Sequence, residues 1–98
     1  MTKKAGATPT IELRLPSVLE MVVGKGRISV SGSTVPEALR SAFDQVPGLE
    51  KHLILPSGEL RAHILCVVNG VSLLPEEVAT APLSSGDEIL IHQAISGG

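Results

Sequence analysis

The sequence predicts an α+β fold, in which one main helix packs on a mixed sheet of about four strands. Two observations carry this prediction. Segments of alternating apolar and polar residues lie on both sides of a single strong amphipathic helix, and the elements follow the order strand, strand, helix, strand, strand. With 98 residues the chain has room for one domain and is too short for a doubly wound sheet.

The first two strands are predicted from period-two alternation. TIELRLP places Ile11, Leu13 and Leu15 on one face, and RISVSG places Ile28 and Val30 inward in the same way. The intervening SVLEMVVGKG ends in two glycines around a lysine, which is typical of a turn. We therefore expect a hairpin with a long connection over residues 17–26.

The main helix is predicted over TVPEALRSAFDQV. Thr34 and Glu37 have the spacing of a capping box, and Pro36 falls in the first turn, where its missing N–H is harmless. Apolar residues recur at helical spacing and form one stripe, which consists of Val35, Leu39, Ala42, Phe43 and Val46. The stripe is expected to face the sheet.

The second half of the chain supplies two further strands. HILCVVNG is a nearly continuous apolar run that ends in Asn69-Gly70, a strong tight-turn signal, and EILIHQA is the last strand. LEKHLILPSGELRA is interpreted as a connection, and VSLLPEEVATAPLSSGDEI as a meandering loop that turns at Gly86-Asp87.

Alternation in these two strands predicts an exposed apolar patch. Ile64, Cys66, Val68, Ile89 and Ile91 would point to the core, whereas Leu65, Val67, Leu90 and His92 would point outward. Exposed apolar patches commonly mark partner surfaces. The alternative is that a loop, VSLLPEEV for example, folds over these side chains.

Composition and charge exclude several classes of function. The net charge is −2 and Phe43 is the only aromatic residue, so there is neither an electrostatic footprint for nucleic acid or anionic lipid nor a stacking platform. Cys66 is the only cysteine, which precludes an internal disulfide and favours a reducing compartment. The N-terminal residues lack an apolar signal core, and the predicted location is the cytoplasm.

Catalysis by the chain itself is not expected. The histidines at positions 52, 63 and 92 lack the spacing of a metal site, and Ser84-Ser85-Gly86-Asp87 is more typical of a turn than of a reactive pair. The sequence contains no phosphate-binding G-x-x-x-x-G-K loop, so any ATP would be bound by another protein.

The motifs of the second half resemble those of a known family. The series VVNG, LSSGDEILI and a terminal Gly-Gly, in a chain of order ββαββ, is similar to the β-grasp (ubiquitin-like) sulfur carriers, and the resemblance covers roughly residues 10–98. These carriers include the small subunit of molybdopterin synthase and the thiamine- and cysteine-pathway carriers. LPSGELRAHILCVVNG is closer to the molybdopterin and cysteine types. HQAISGG replaces the common Pro-Ala-Val-Ala-Gly-Gly ending, and Leu65 and Val67 occupy outward positions that are more often polar or aromatic.

The resemblance implies a specific role for the C-terminus. A ubiquitin-activating-type enzyme would adenylate the Gly98 carboxylate with ATP, and a sulfur donor enzyme would convert it to a thiocarboxylate for a downstream acceptor enzyme or synthase large subunit. The chain itself would bind no cofactor. The implied site consists of Gly97 and Gly98, and the implied partner contacts are Leu65, Val67, Leu90, His92, Ile95 and Ser96. The corresponding domain limits are a flexible leader at 1–9, a β-grasp domain at 10–94 and a mobile tail at 95–98.

Elementary chemistry explains why such a site needs glycines. An α-carboxyl group with a pKa of about 3.5 is ionised at neutral pH and is a poor electrophile, so it must be activated before a sulfur nucleophile can attack. The activating site must exclude water from the acyl-adenylate. Residues without a Cβ can pass through a narrow channel and adopt φ values closed to others.

Two further functions remain open at this point. The chain could instead be a ubiquitin-like modifier that is joined through Gly98 to lysines of other proteins, because both roles need the same adenylation. It could also be a plain interaction module that binds a partner through the sheet alone.

Overall fold

The computed structural model describes residues 8–93, which contain five strands and four helices. The elements are β1 (Thr10–Arg14), α1 (Ser17–Val23), β2 (Arg27–Ser31), α2 (Val35–Gln45), α3 (Glu50–Leu53), β3 (Ile64–Val68), β4 (Val71–Ser72), α4 (Pro75–Val78) and β5 (Glu88–Gln93). The leader predicted at 1–9 lies largely outside the described residues, and the tail at 95–98 lies wholly outside them. The predicted domain limits therefore stay predictions.

The strands form one mixed sheet, as predicted. The order is β2-β1-β5-β3-β4, in which β1 and β5 are parallel and the other neighbours are antiparallel. The described residues contain five strands rather than about four, because the two-residue β4 follows a tight turn after β3. Asn69 (φ 50°) and Gly70 (φ 85°) both have the left-handed backbone that a two-residue hairpin turn requires. The α+β fold class is confirmed.

The main helix α2 begins as the sequence indicates, with one difference in its cap. The Thr34 hydroxyl accepts a hydrogen bond from the Glu37 N–H at 3.4 Å. The Glu37 carboxylate accepts from the N–H of Ser33 at 2.9 Å, not from that of Thr34. The reciprocal half of the predicted capping box is thus displaced by one residue. Hydrogen bonds from two Ser33 groups hold the pKa of the Glu37 carboxyl below its usual value.

The helix also covers an edge of the sheet. The Gln45 side-chain amide donates to the Ser29 carbonyl at 2.8 Å, and the Ser31 N–H donates to the Ser41 hydroxyl at 3.2 Å. Backbone groups of the edge strand β2 are therefore paired by side chains of α2, which protects an edge that could otherwise pair with another chain.

One apolar core lies between α2 and a single face of the sheet. Phe43 and Val68 were both predicted to face the core, and they pack against it but are only partly buried. The buried apolar residues are Ile11, Leu13, Leu15, Leu19, Ile28, Val30, Val35, Ala38, Leu39, Ala42, Val46, Leu49, Leu53, Ile64, Cys66, Val78, Leu83, Ile89 and Ile91. The opposite face of the sheet carries the residues that were predicted to point outward.

Three segments interpreted as connections contain regular structure. α1 lies in the β1–β2 connection, α3 lies between α2 and β3, and the loop that precedes β5 contains β4 and α4. These elements have two to seven residues, which is too short for a periodic pattern to predict reliably. None of the helices within residues 8–93 is long and apolar enough to cross a membrane.

Candidate functional site

The last described strand leads to the terminal glycines from the middle of the sheet. β5 pairs with β1 on one side and with β3 on the other, and its final residue, Gln93, is in register with Ile64. Five residues follow Gln93 in the sequence. Ile95, Ser96, Gly97 and Gly98 lie outside the described residues, so their predicted roles stay predictions.

The start of β5 is held by the motif that carried the family resemblance. The Asn69 carboxamide donates to Asp87 Oδ1 at 3.0 Å and accepts from the Glu88 N–H at 3.0 Å. The other Asp87 oxygen accepts from the Ser84 N–H at 2.8 Å. The bond from Ser84, followed by the bond from Asn69, holds the pKa of the Asp87 carboxyl below its usual value. The Asn-Gly and Gly-Asp-Glu motifs thus fix the register of β5. Ser84 and Asp87 form a turn, as predicted.

The sheet face away from the core carries an apolar patch, which consists of Leu65, Val67 and Leu90. Leu65 is 36% exposed and Leu90 37% exposed, and Val67 is half-buried. Val67 is in register with Leu90, and Leu65 with His92, so the patch continues across β3 and β5 toward the end of β5. The loop that could have covered it leaves both leucines accessible. Whether a partner binds this sheet patch stays a prediction.

Charged residues border the sheet patch on its β1 side. Arg14 is in register with Leu90, and its guanidinium lies 3.5 Å from the Glu88 carboxylate. Arg27 of the neighbouring strand β2 forms an ion pair with Glu12 of β1. Exposed pairs of this kind contribute little to stability. They do give the face the arrangement of many protein interfaces, an apolar centre with a polar margin.

A second group of exposed apolar residues was missed by the sequence analysis. Val18, Met21 and Val22 all project from α1 into solvent, whereas Leu19 of the same helix is buried. The signal was the helical spacing of the apolar residues 18, 21 and 22, which the interpretation of this segment as a turn obscured.

Cys66 has the environment of a core residue. It lies in β3 with a 1% exposed side chain, and burial raises the pKa of its thiol to about 11. A thiol that is both enclosed and protonated is a poor nucleophile. The prediction of a buried small hydrophobe is confirmed for this residue.

The three histidines lie apart from one another in the fold. His52, His63 and His92 lie on α3, on the β3 approach and on β5, and among the described residues no cluster of His, Cys, Asp or Glu could hold a metal ion. A groove of about 760 Å³ lies on the helix side, between α2, α3 and α4. It is on the opposite side of the sheet from the sheet patch.

The fold matches solved structures over nearly its whole length. The crystal structure of SAMP1 from Haloferax volcanii is 28% identical, with a TM-score of 0.78 over 91% of this chain and 99% of that one. The solution structure of small archaeal modifier protein 1 from Methanosarcina acetivorans is 26% identical, with a TM-score of 0.79 over 95% and 100%. A chain of the Amycolatopsis orientalis BexX/CysO complex is 22% identical, with a TM-score of 0.78 over 90% and 99%.

No family model matches this sequence, and no curated protein matches it significantly. The structural neighbours are β-grasp, ubiquitin-like sulfur carriers and modifiers, and the resemblance predicted from the sequence is therefore confirmed.

Proposed function

We propose that the chain is a sulfur carrier whose active group is the carboxylate of Gly98. The observation that carries the proposal is the position of β5, a central strand fixed at its start by Asn69 and Asp87 and ending five residues before Gly98. The chain therefore leaves β5 at one end of the sheet, between β1 and β3. The likeness to carriers and modifiers of the same fold supports this assignment.

The proposed chemistry has two steps. A ubiquitin-activating-type enzyme joins the Gly98 carboxylate to AMP and releases pyrophosphate from ATP. Hydrosulfide, delivered by a sulfur donor enzyme, then attacks the acyl carbon. The new C–S bond replaces the C–O bond to AMP, AMP leaves with the electron pair, and the thiol proton goes to solvent. The resulting thiocarboxylate donates its sulfur in a biosynthetic pathway of the molybdopterin, cysteine or thiamine type.

The chain's own residues contribute binding rather than catalysis in this proposal. The sheet patch and its charged margin would dock the activating enzyme, with His92, Ile95 and Ser96 leading from the patch to the glycines. CysO, which has the same fold, was solved in complex with BexX. We infer a comparable heteromeric partnership for this chain, with ATP bound by the partner.

A second candidate is a protein modifier, joined through Gly98 to lysines of other proteins. The two archaeal neighbours that are 28% and 26% identical bear the name of modifier proteins, which is the observation in its favour.

Intact-protein mass spectrometry of the chain purified from its native host separates the two candidates. The carrier predicts that one oxygen is replaced by sulfur and that fragmentation assigns the change to Gly98. The modifier predicts conjugates whose intact mass is that of a target protein plus this chain less one water. Trypsin would leave residues 62–98 on the target lysine, because Arg61 is the last basic residue of the sequence. The carrier proposal is wrong if the C-terminal residue remains an ordinary carboxylate in cells in which the pathway is active.

A further inference from the structure

The helix α1 has an exposed apolar side that the core does not require. It begins after Pro16 and ends at Val23. The next residue, Gly24, has a left-handed backbone (φ 85°), and its N–H donates to the Glu20 carbonyl. Leu19 is the residue that α1 buries in the core. A seven-residue helix is held by such tertiary contacts and not by its own propensity. Polar residues at positions 18, 21 and 22 would therefore serve the fold equally well.

The residues found there are large and apolar instead. Val18, Met21 and Val22 form what we call the α1 patch, and Met21 is 85% exposed and Val22 59% exposed. Clustered apolar side chains on a small surface commonly mark an interaction site. Methionine suits such a site, because its unbranched thioether side chain adapts to the shape of a partner.

The topology places the α1 patch at the end of the sheet from which the C-terminal residues leave. β1 and β5 are parallel and Arg14 is in register with Leu90, so both strands end at the same edge of the sheet. α1 begins at Ser17, three residues after β1 ends, and β5 ends at Gln93, three residues after Leu90.

The length of the remaining chain limits where the partner can be. A fully extended chain spans at most about 3.6 Å per residue, so Gly98 lies within about 18 Å of Gln93. An enzyme that encloses Gly98 must bring its surface to within that distance of the end of the sheet. α1 occupies that end, so such an enzyme approaches α1.

We propose that the α1 patch is a second docking surface for the enzyme that adenylates Gly98. This inference rests on the proposed function, and it adds a contact that is separate from the sheet patch. The contact supplies binding energy and touches no reacting atom, so its loss raises the KM for the carrier and leaves kcat at saturation unchanged.

The chain offers a matched pair of variants for the test. Val22→Glu adds a charge to the α1 patch, and glutamate is a better helix former than valine, so the fold is kept. Val71→Glu is the control, because Val71 is the same residue type at nearly the same exposure, 61%. Val71 pairs with Val68, and Val68 is in register with Ile89 near the start of β5. Val71 therefore lies at the end of the sheet opposite the α1 patch.

The assay is ATP–pyrophosphate exchange by the ubiquitin-activating-type enzymes of the native host, each purified and supplied with wild-type chain or a variant. We expect Val22→Glu to raise the KM for the carrier about tenfold or more, and Val71→Glu to remain within about twofold of wild type. Melting temperatures equal to that of wild type show that both variants are folded.

Each alternative outcome has a distinct meaning. If the wild-type chain supports exchange with none of these enzymes, the proposed function itself is wrong. If it supports exchange and the two variants have the same KM, the α1 docking surface is wrong while the carrier function stands. If the free chain sediments as a dimer that Val22→Glu dissociates, the patch joins two copies of this chain and the proposal is overturned.

Discussion

Cys66 provides a quantitative test of the proposal that sulfur is carried at the chain terminus and not on a side chain. With its pKa raised to about 11 by burial, about one thiol in a thousand is ionised at pH 8. An ordinary thiol at the reference value of 9.0 would be ionised in about one molecule in ten. The structure therefore predicts a roughly hundredfold deficit of thiolate, and the 1% exposure of the side chain slows attack further.

Alkylation by iodoacetamide at pH 8 measures this deficit directly. We expect the native protein to react at least about a hundredfold more slowly than the same protein in guanidinium chloride. Cys66→Ala should lose on the order of 1 kcal/mol of stability and keep its full sulfur load in the native host. A native rate within about tenfold of the unfolded rate would show that Cys66 is an accessible thiol. A sulfur load lost in Cys66→Ala would show that this thiol carries the sulfur. Either result would refute this reasoning.

Three further predictions concern the sheet patch, the β5 turn and the packing of α2. Leu90→Asp should fold normally and bind the activating enzyme at least about tenfold more weakly in calorimetric titration, whereas unchanged affinity would remove the sheet patch from the interface. Because the pKa of Asp87 is lowered in the folded state, its carboxylate stabilises the fold above the reference value of 3.8, and this advantage disappears as the pH falls through the folded pKa. Urea unfolding should thus show wild type losing its advantage over Asp87→Asn on acidification, and a difference independent of pH would contradict this. At Gly32 an added Cβ would lie 2.5 Å from the Ala38 nitrogen, so Gly32→Ala should lower stability by roughly 1–3 kcal/mol, which a melting temperature equal to wild type would disprove.

The sequence predicted the elements that have a strong periodic pattern. Apolar and polar residues alternate over the five residues of β1 and of β2, and α2 combines an N-cap with an apolar stripe. Local residue order therefore determines these two strands and this helix. The Asn69-Gly70 turn followed from its backbone requirement for positive φ. The outward positions of Leu65 and Leu90 followed from the two-residue period of their strands.

The remaining features depend on contacts between distant residues. α1 was missed because it carries apolar residues on both its inner and outer sides, so its seven residues give no clear polar face. The parallel pairing of β1 with β5 joins the two ends of the chain, and neither segment alone encodes it. Whether a loop covers the sheet patch is likewise a tertiary property.

The central claim is that the end of the chain, and not a group within the folded domain, is the part that another enzyme activates. The most direct measurement compares the wild-type chain with two variants in the exchange assay, one that lacks Gly97 and Gly98 and one that carries Gly97→Val. We predict that both variants keep the wild-type melting temperature and support no ATP–pyrophosphate exchange. Exchange at the wild-type rate by either folded variant would contradict the account.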